Sequence, residues 1–205
     1  MLQQAELTSA LLPPRVDSNG TLRRIYEQGL VLFADRGYHG VSVREIAQAS
    51  GIKASSIYAH LDSKEQLLYD LILLGHEEHR DRLKEALYGS GAEPASQLRS
   101  LAGAHVRFHA EFPVLATVAN NELNALAPER AAEIEAIRGD DLRFFMDVIE
   151  RGVRLGRFTC DDPFLATAVI GAMGIRVAVW FPARSDYTAD EVVDRYADFA
   201  LRLVS

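Results

Sequence analysis

Cysteine is almost missing from this 205-residue sequence, which contains only Cys160. A single cysteine excludes an intramolecular disulfide and a cysteine-based zinc site. It is typical of a reducing cytoplasm, where we expect the protein to work. The first residues, MLQQAELTSALLPPRVDSNG, have no basic region followed by an apolar run, so we do not expect a secretory leader. Residues 1–18 are predicted to form a flexible tail that faces solvent.

Long apolar runs and catalytic motifs are missing as well. The most apolar stretch, FLATAVIGAMGI at 164–175, falls well short of the ~20 residues that span a bilayer. We therefore predict a buried helix there, and no membrane as a partner. The sequence has neither a glycine-rich phosphate loop nor a G-x-S-x-G elbow, so we expect no enzyme, no catalytic residue, no metal and no cofactor.

No stretch alternates between apolar and polar residues as a half-buried strand does, so the predicted fold class is all-α. Two capping boxes, Ser42 with Glu45 and Ser63 with Gln66, predict helix starts. Gly37 is a predicted helix stop. Asp162 before Pro163 is predicted to cap a later helix. The predicted helices are at about 21–36, 43–49, 54–60, 64–88, 94–111, 113–126, 128–155, 163–181 and 189–204.

Charge is distributed unevenly along the chain, whose formal net charge is -7. The segment Arg15–Lys64 holds seven basic and five acidic residues, for a local net charge of +2. The remaining residues hold 15 basic and 24 acidic side chains, for a net charge of -9. A positive region on an acidic protein can still bind DNA through focused phosphate contacts.

The positive segment has the plan of a helix-turn-helix. Gly51 can take the positive φ that a tight turn requires. Ile46, Ile52 and Ile57 supply apolar side chains for a three-helix core, and Ala47 is small where two helices would cross. These residues alone are equally consistent with a helical hairpin that does not bind nucleic acid.

The stretch LFADRGYHGVSVREIAQASGIKASSIYAHLDSKEQLL, at 32–68, closely resembles the DNA-binding domain of TetR-family transcriptional regulators. The resemblance covers about residues 19–79. It implies an all-α homodimer, with a DNA-binding domain at 19–79 that has its helix-turn-helix at 42–61, and a ligand-binding and dimerisation domain at 80–205. The implied partners are double-stranded operator DNA and a small-molecule effector.

The resemblance also implies the DNA-binding residues. Arg44 matches a position that reaches a guanine edge, where a bidentate arginine fits O6 and N7. Ser42 would cap its helix and donate to a phosphate. The other implied contacts are Lys53, Ala54 and Ser55, which open the recognition helix, and Tyr58, His60 and Lys64, which would contact phosphates.

The same positions leave alternatives open. Arg44 could instead pair with a surface acid, and Tyr58 could mainly pack on the first helix. Lys53 stands where the family often has a capping Ser or Thr, and its charge opposes the helix dipole. We therefore expect a slightly frayed recognition helix. Ala54 replaces a longer polar residue and suits contact with a thymine methyl.

The C-terminal part should hold the signal input. The stretch GIRVAVWFPARSDYTADEVVDRYADFALRLV, at 174–204, resembles TetR-type regulators of actinobacterial lipid and steroid breakdown, some of which sense acyl-CoA thioesters. The implied effector is an acyl-CoA or another lipid-like anion. The candidate ligand residues are apolar walls and a few polar groups for the anionic end: Phe108, Phe112, Asn121, Asn124, Phe145, Arg176 and Trp180.

Two alternatives concern single residues of this part. Arg176 lies on the most apolar helix, where a charge needs a partner. Either a salt bridge across the dimer interface or an anionic ligand group would supply one. His105 and His109 are four residues apart on one helix face, a spacing that can hold a metal. Core or solvated histidines explain the same spacing.

The leading hypothesis is a ligand-responsive repressor that an effector releases from its operator. The first alternative is a metal-sensing regulator that uses His105 and His109. The second is a helical small-molecule-binding protein whose DNA-binding domain no longer works. A gel shift with the protein's own upstream DNA separates the second alternative from the leading hypothesis.

Overall fold

A computed structural model describes residues 10–15, 20–184 and 186–205. Within these ranges the structure is helical and contains no strand, as the sequence predicts. The α-helices are α1 Thr21–Arg36, α2 Val43–Ala49, α3 Lys64–Gly89, α4 Pro94–Glu111, α5 Pro113–Asn121, α6 Pro128–Arg154, α7 Pro163–Trp180 and α8 Ala189–Arg202. Short 3-10 helices lie at Ala54–Ala59, Leu123–Ala125 and Phe181–Ala183.

The chain divides into two compact units. The first contains the residues up to His76 together with Val114–Ile134, and the second contains Glu77–Pro113 and Glu135–Ser205. In the first unit the apolar faces of α1, α2, the 3-10 helix Ala54–Ala59 and the start of α3 form a core. Its fully buried side chains include Ile25, Leu30, Phe33, Ile46, Ile57, Leu67 and Leu71. Helices α1 and α3 approach closely at Gly29, where an added Cβ would lie 2.7 Å from Leu67 Cδ2.

The second unit packs α4 against α7 and α8. Its main core includes Leu83, Leu98, Leu101, Phe145, Ile149, Ile170 and Val204. A smaller cluster joins Val106, Ala110, Val177 and Val192 to the partly buried Trp180, Phe181 and Tyr196.

Several helix ends follow the local signals of the sequence. Ser42 and Glu45 form the predicted capping box at the start of α2, and Asp162 accepts a hydrogen bond from the Leu165 N–H at the start of α7. Gly37 and Gly51 have φ values of 71° and 70°, in the region that only glycine adopts at little cost.

Other predicted ends differ from the structure. The predicted helix 113–126 stops at Asn121, and the nearby Asn120 side chain donates to the Ala116 carbonyl, a contact that competes with helical backbone bonding. Helix α7 ends at Trp180 and gives way to a 3-10 turn, because Pro182 has no N–H to continue the helix. The second predicted capping box is only half formed. The Gln66 N–H donates to Ser63 Oγ, but the Gln66 side chain donates to Asp70.

Two expectations about exposure are wrong. Leu12 and Pro13 were expected in a solvent-facing tail, but both are buried, and Leu12 is only 1% exposed. Residues 1–9 and 16–19 of that segment lie outside the described residues. Helix α7 was expected to be buried, but only 33% of its 18 residues are buried within the chain. By length and composition α7 is able to cross a membrane, but single helices of soluble proteins meet the same two criteria.

Candidate functional site

The turn between α2 and the 3-10 helix Ala54–Ala59 presents most of the predicted DNA-binding side chains to solvent. Arg44, Lys53, Ala54, Ser55, Tyr58 and His60 are all exposed. Ile46 and Ile57 point the opposite way and are fully buried. The apolar residues of the motif therefore fix the two short helices, and the polar residues between them remain available to a partner.

The structure contradicts both alternatives that the sequence left open here, the packing of Tyr58 on α1 and the pairing of Arg44 with a surface acid. Tyr58 is 62% exposed, so its ring is not packed on α1. Within the described ranges, no acceptor contacts the Arg44 guanidinium, whereas the neighbouring Glu45 carboxylate accepts from Arg36 at 2.8 Å. The guanidinium of Arg44 is therefore available for an external acceptor.

The recognition helix is a six-residue 3-10 helix, and Lys53 at its N-cap makes no side-chain capping bond. This agrees with the prediction that Lys53 cannot cap. A 3-10 helix has poorer hydrogen-bond geometry than an α-helix, so this element depends on its buried Ile57 more than on its own backbone bonds.

Ser42 and Glu45 are joined by reciprocal hydrogen bonds. The Ser42 hydroxyl donates to Glu45 Oε2 at 2.7 Å and accepts from the Glu45 N–H. The hydrogen bond from the Ser42 side chain, then that from Arg36, lowers the pKa of Glu45 from 4.5 to about 2. The capping role of Ser42 is confirmed, and its single hydroxyl proton is occupied within the protein rather than directed at a phosphate.

Lys64 is also engaged within the protein. Its Nζ donates to the carbonyl oxygens of Tyr38 at 2.8 Å and Val41 at 2.7 Å, and it lies 3.9 Å from the centroid of the Tyr38 ring. Burial lowers the pKa of Lys64. The ammonium group therefore ties the α1–α2 loop to the start of α3, a role that the sequence analysis missed because its partners are 26 and 23 residues away.

The structure brings only some of the predicted ligand residues together. Phe108, Phe112 and Phe145 are almost completely buried in the second unit, and the rings of Phe108 and Phe112 lie 5.9 Å apart between centroids. Trp180 stacks on Tyr196 with ring centroids 6.3 Å apart, and Arg176 is exposed on α7. That these side chains bind one ligand stays a prediction.

Asn121 and Asn124 were also predicted to orient a ligand, and both are exposed. They lie at the end of α5 and in the 3-10 helix Leu123–Ala125, in the first unit. Their exposure alone assigns them no ligand, so their role in orienting one stays a prediction.

Part of the predicted aromatic wall surrounds histidines instead of a cavity. The Phe108 ring lies 5.3 Å from the His79 ring and 5.2 Å from the His109 ring, between centroids. Phe145 lies 6.1 Å from His105. The structure also places His79 beside His105, with ring nitrogens 2.8 Å apart.

A groove of about 730 Å³ lies elsewhere in the second unit, between α3, α4 and α8. Its lining surrounds an apolar floor that includes Gly103 and Val193, and it carries three arginines and three acids: Arg82, Arg99, Arg107, Glu78, Glu85 and Asp194. Each arginine contacts a carboxylate, as Arg99 contacts Asp198 at 2.5 Å and Arg107 contacts Asp190 at 2.6 Å. An amphipathic anion can bind a guanidinium there by taking the place of its carboxylate partner.

Comparisons with known proteins agree with this architecture. A family model described as "Bacterial regulatory proteins, tetR family" matches residues 25–71. A second, described as "Tetracyclin repressor-like, C-terminal domain", matches residues 91–204. The HTH-type transcriptional repressor KstR2 of Rhodococcus jostii is 28% identical over 194 residues, which cover 92% of this chain and 95% of the relative.

Two solved structures have the same fold. A bacterial regulatory protein of the tetR family from Rhodococcus RHA1 is 32% identical, with a TM-score of 0.84 over 92% of this chain and 98% of the other. AibR, solved in complex with isovaleryl coenzyme A and operator DNA, is 22% identical, with a TM-score of 0.79 over 91% of this chain and 100% of the other. At this identity the AibR match shows the fold alone.

Proposed function

The chain belongs to the TetR family of bacterial regulatory proteins, and on this premise we propose which residues bind DNA and which bind the effector. It is a ligand-responsive, DNA-binding transcriptional regulator and not an enzyme. We assign DNA binding to residues 19–79, and effector binding and dimerisation to residues 80–205. Because the protein works on DNA, we propose that it acts in the cytoplasm.

One observation supports the DNA-binding proposal above the others. The exposed face of the helix-turn-helix carries Arg44, Lys53, Tyr58 and His60, in a chain that is otherwise acidic. We assign base reading to Arg44, because a guanidinium can donate to O6 and N7 of guanine together. Lys53, Tyr58 and His60 contact phosphates and set the register. Ala54 and Ser55 lie at the start of the recognition helix, where a methyl or hydroxyl can approach a base edge.

Dimers are typical of the family, and the exposed apolar face of α7 and α8 is the proposed interface. Phe164, Leu165, Val169 and Val179 of α7 and Phe199 of α8 are each at least 42% exposed in the single chain. A partner copy that covers these side chains removes a large apolar surface from water. The same contact explains why an apolar helix is so little buried within one chain.

We propose that the effector is an acyl-CoA or a related lipid-like anion. The support is the isovaleryl coenzyme A bound by AibR and the groove that contains Arg82, Arg99 and Arg107. These arginines replace Arg176 as the groups for the anionic end, because Arg176 is exposed on the proposed interface helix. The metal-sensing alternative gains no support from the relatives.

The mechanism is a population shift. DNA favours the dimer state in which the two recognition helices fit successive major grooves, ~34 Å apart. An effector that binds the other state more tightly moves the population away from DNA. No direct contact between effector and DNA is required.

A gel shift with the protein's own upstream DNA tests the proposal. We expect one specific complex that a fatty acyl-CoA releases and that the free acid releases less well. Arg99→Gln should weaken the acyl-CoA effect and leave DNA binding without effector unchanged, and Arg143→Gln on α6 is the matched surface control. No specific complex at any salt concentration would favour the small-molecule-binding alternative. A complex that acyl-CoA does not release would remove only the effector assignment.

A further inference from the structure

Three buried histidines meet inside the second unit. His79 lies on α3, and His105 and His109 lie one turn apart on α4. Each offers one ring nitrogen to a common point, and the three nitrogens lie within 4.8 Å of one another. All three residues are buried, with exposed fractions of 9% or less, so the rings must find their polar partners mainly within the protein.

In each of the three rings, one nitrogen lies close to an oxygen atom. His79 Nδ1 lies 2.8 Å from Asp141 Oδ2, and His105 Nε2 lies 3.1 Å from the Gly171 carbonyl oxygen. His109 Nδ1 lies 2.8 Å from the His105 carbonyl oxygen. A carbonyl oxygen only accepts, so His105 Nε2 and His109 Nδ1 carry the proton, whereas the Asp141 carboxyl can accept from His79 Nδ1 or donate to it. Acceptors of this kind orient histidines that ligate metals in proteins and fix their tautomers.

His105 Nδ1 and His79 Nε2 lie 2.8 Å apart. With the proton of His105 on Nε2, its Nδ1 offers a lone pair. At this distance His79 Nε2 either donates a hydrogen bond to that lone pair or, with its own proton on Nδ1, binds a cation together with it. The neutral imidazole is the form that binds metal.

The residues packed around His105 leave room for its ring. A Cβ at Gly174 of α7 would overlap the His105 imidazole, so the glycine leaves the room that the ring occupies. Asp141 on α6 and Gly171 on α7 supply the orienting oxygens. Four helices thus contribute to one small buried site.

We propose that His79, His105 and His109 bind one divalent transition-metal ion, with Zn²⁺ the best fit, and that this ion fastens α3 to α4. Three neutral imidazoles are a ligand set that Zn²⁺ accepts, with Zn–N distances of about 2.0–2.1 Å. A tetrahedral angle then requires nitrogens roughly 3.3 Å apart, so binding moves the His79 and His105 nitrogens apart by about 0.5 Å. The competing occupant is a proton shared between the rings and Asp141.

The test uses the full, tag-free chain after removal of metal with a chelator. Titration calorimetry with Zn²⁺ should show one ion per chain. Binding to the folded chain alone, at about 100 times Kd, should raise the melting temperature by about 5–10 °C. Co²⁺ in place of Zn²⁺ should give the visible absorption bands of a nitrogen-ligated ion. DNA and effector are absent, so the result is independent of the proposed function.

Isosteric variants separate the metal from mere packing. His79→Asn keeps a donor toward Asp141, and His105→Gln keeps a donor toward Gly171, yet each loses a ligand nitrogen. Both should lose Zn²⁺ binding at least 100-fold while keeping the helical circular dichroism of the chain. Asp141→Asn should weaken binding about 10–100-fold. His76→Gln is the matched control, because His76 is a buried histidine of α3 outside the cluster and should bind as the wild type does.

Two results would overturn the site. In one, the metal-free chain binds no Zn²⁺, Co²⁺ or Ni²⁺ at micromolar concentrations, and a proton is then the occupant. In the other, His79→Asn and His105→Gln bind Zn²⁺ as tightly as the wild type, and the metal lies elsewhere. If a histidine variant unfolds, Asp141→Asn and the Co²⁺ spectrum of the wild type still show whether the histidines bind the metal.

Discussion

The ammonium group of Lys64 and the backbone of Tyr38 are joined by a 2.8 Å hydrogen bond, while the same Nζ lies over the Tyr38 ring. Helix α3 begins at Lys64, and Tyr38 follows the end of α1, so this pair fastens the loop that leads into α2. The orientation of the helix-turn-helix thus depends on a lysine that the sequence pattern assigned to DNA phosphate.

Lys64→Ala should lower the stability of the folded chain. The substitution removes a charged donor from the carbonyl oxygens of Tyr38 and Val41, and such hydrogen bonds contribute about 1–3 kcal/mol. Urea unfolding followed by circular dichroism measures the change. Arg44→Ala removes an exposed cation of the same unit, and as the control it should leave the midpoint unchanged. If Lys64→Ala and the wild type have the same urea midpoint, Lys64 does not stabilise the fold and acts only as a DNA contact.

Arg44→Ala should cost about 1–3 kcal/mol at the specific operator and relax base preference at one position. The reason is the loss of a bidentate contact to a guanine edge. Binding to a set of operators with single base changes measures both effects. The exposed Arg143 of α6 supplies a control in Arg143→Ala. If Arg44→Ala lowers affinity equally for every sequence, Arg44 contacts phosphate and not a base.

Lys53→Ala should weaken binding to all sequences alike and flatten the salt dependence. One phosphate contact fewer changes the slope of log K against log salt by about 0.9. Tyr58→Phe, which removes a neutral hydroxyl, should weaken binding without a change in slope. Affinities between about 50 and 200 mM salt measure the slopes. An unchanged slope for Lys53→Ala means that its ammonium stays in solvent in the complex.

Glu45→Gln should abolish one part of the acid dependence of stability. The pKa of Glu45 in the folded chain is about 2, below its ordinary 4.5, so the ionised carboxylate stabilises the fold above about pH 4.5. That stabilisation is lost as the pH falls toward 2. The difference in melting temperature between wild type and Glu45→Gln should therefore narrow steadily below pH 4.5. A difference that stays constant down to pH 3 contradicts the assigned contacts with Ser42 and Arg36.

Val169→Glu should give monomers in sedimentation experiments and abolish specific DNA binding. Val169 is 43% exposed on α7, and a charge in an apolar interface loses water without gaining a partner. Leu155→Glu, which is exposed beyond the end of α6, is the matched control and should remain dimeric. Gly174 is unsuitable for this test, because a side chain there would overlap His105. A dimeric Val169→Glu would move the interface to another face.

The sequence by itself determined the features whose causes lie within a few residues of one another. The helical class, most helix ends, the capping box at Ser42 and the glycine turn at Gly51 depend on hydrogen bonds and steric limits over at most four or five residues. The family followed from the same segment, because turn, cap and core residues of the helix-turn-helix occur at fixed short spacings.

The tertiary structure alone decided which distant residues meet and which faces stay open. His79 contacts His105 and Asp141, 26 and 62 residues away, and Arg176 faces outward although its helix is apolar. Helical periodicity shows that a helix has an apolar face but not which helix covers it. The rotation of each helix follows from packing against the whole set of neighbours. Histidines or aromatic residues at helical spacing therefore become a site only when that packing directs them to one point.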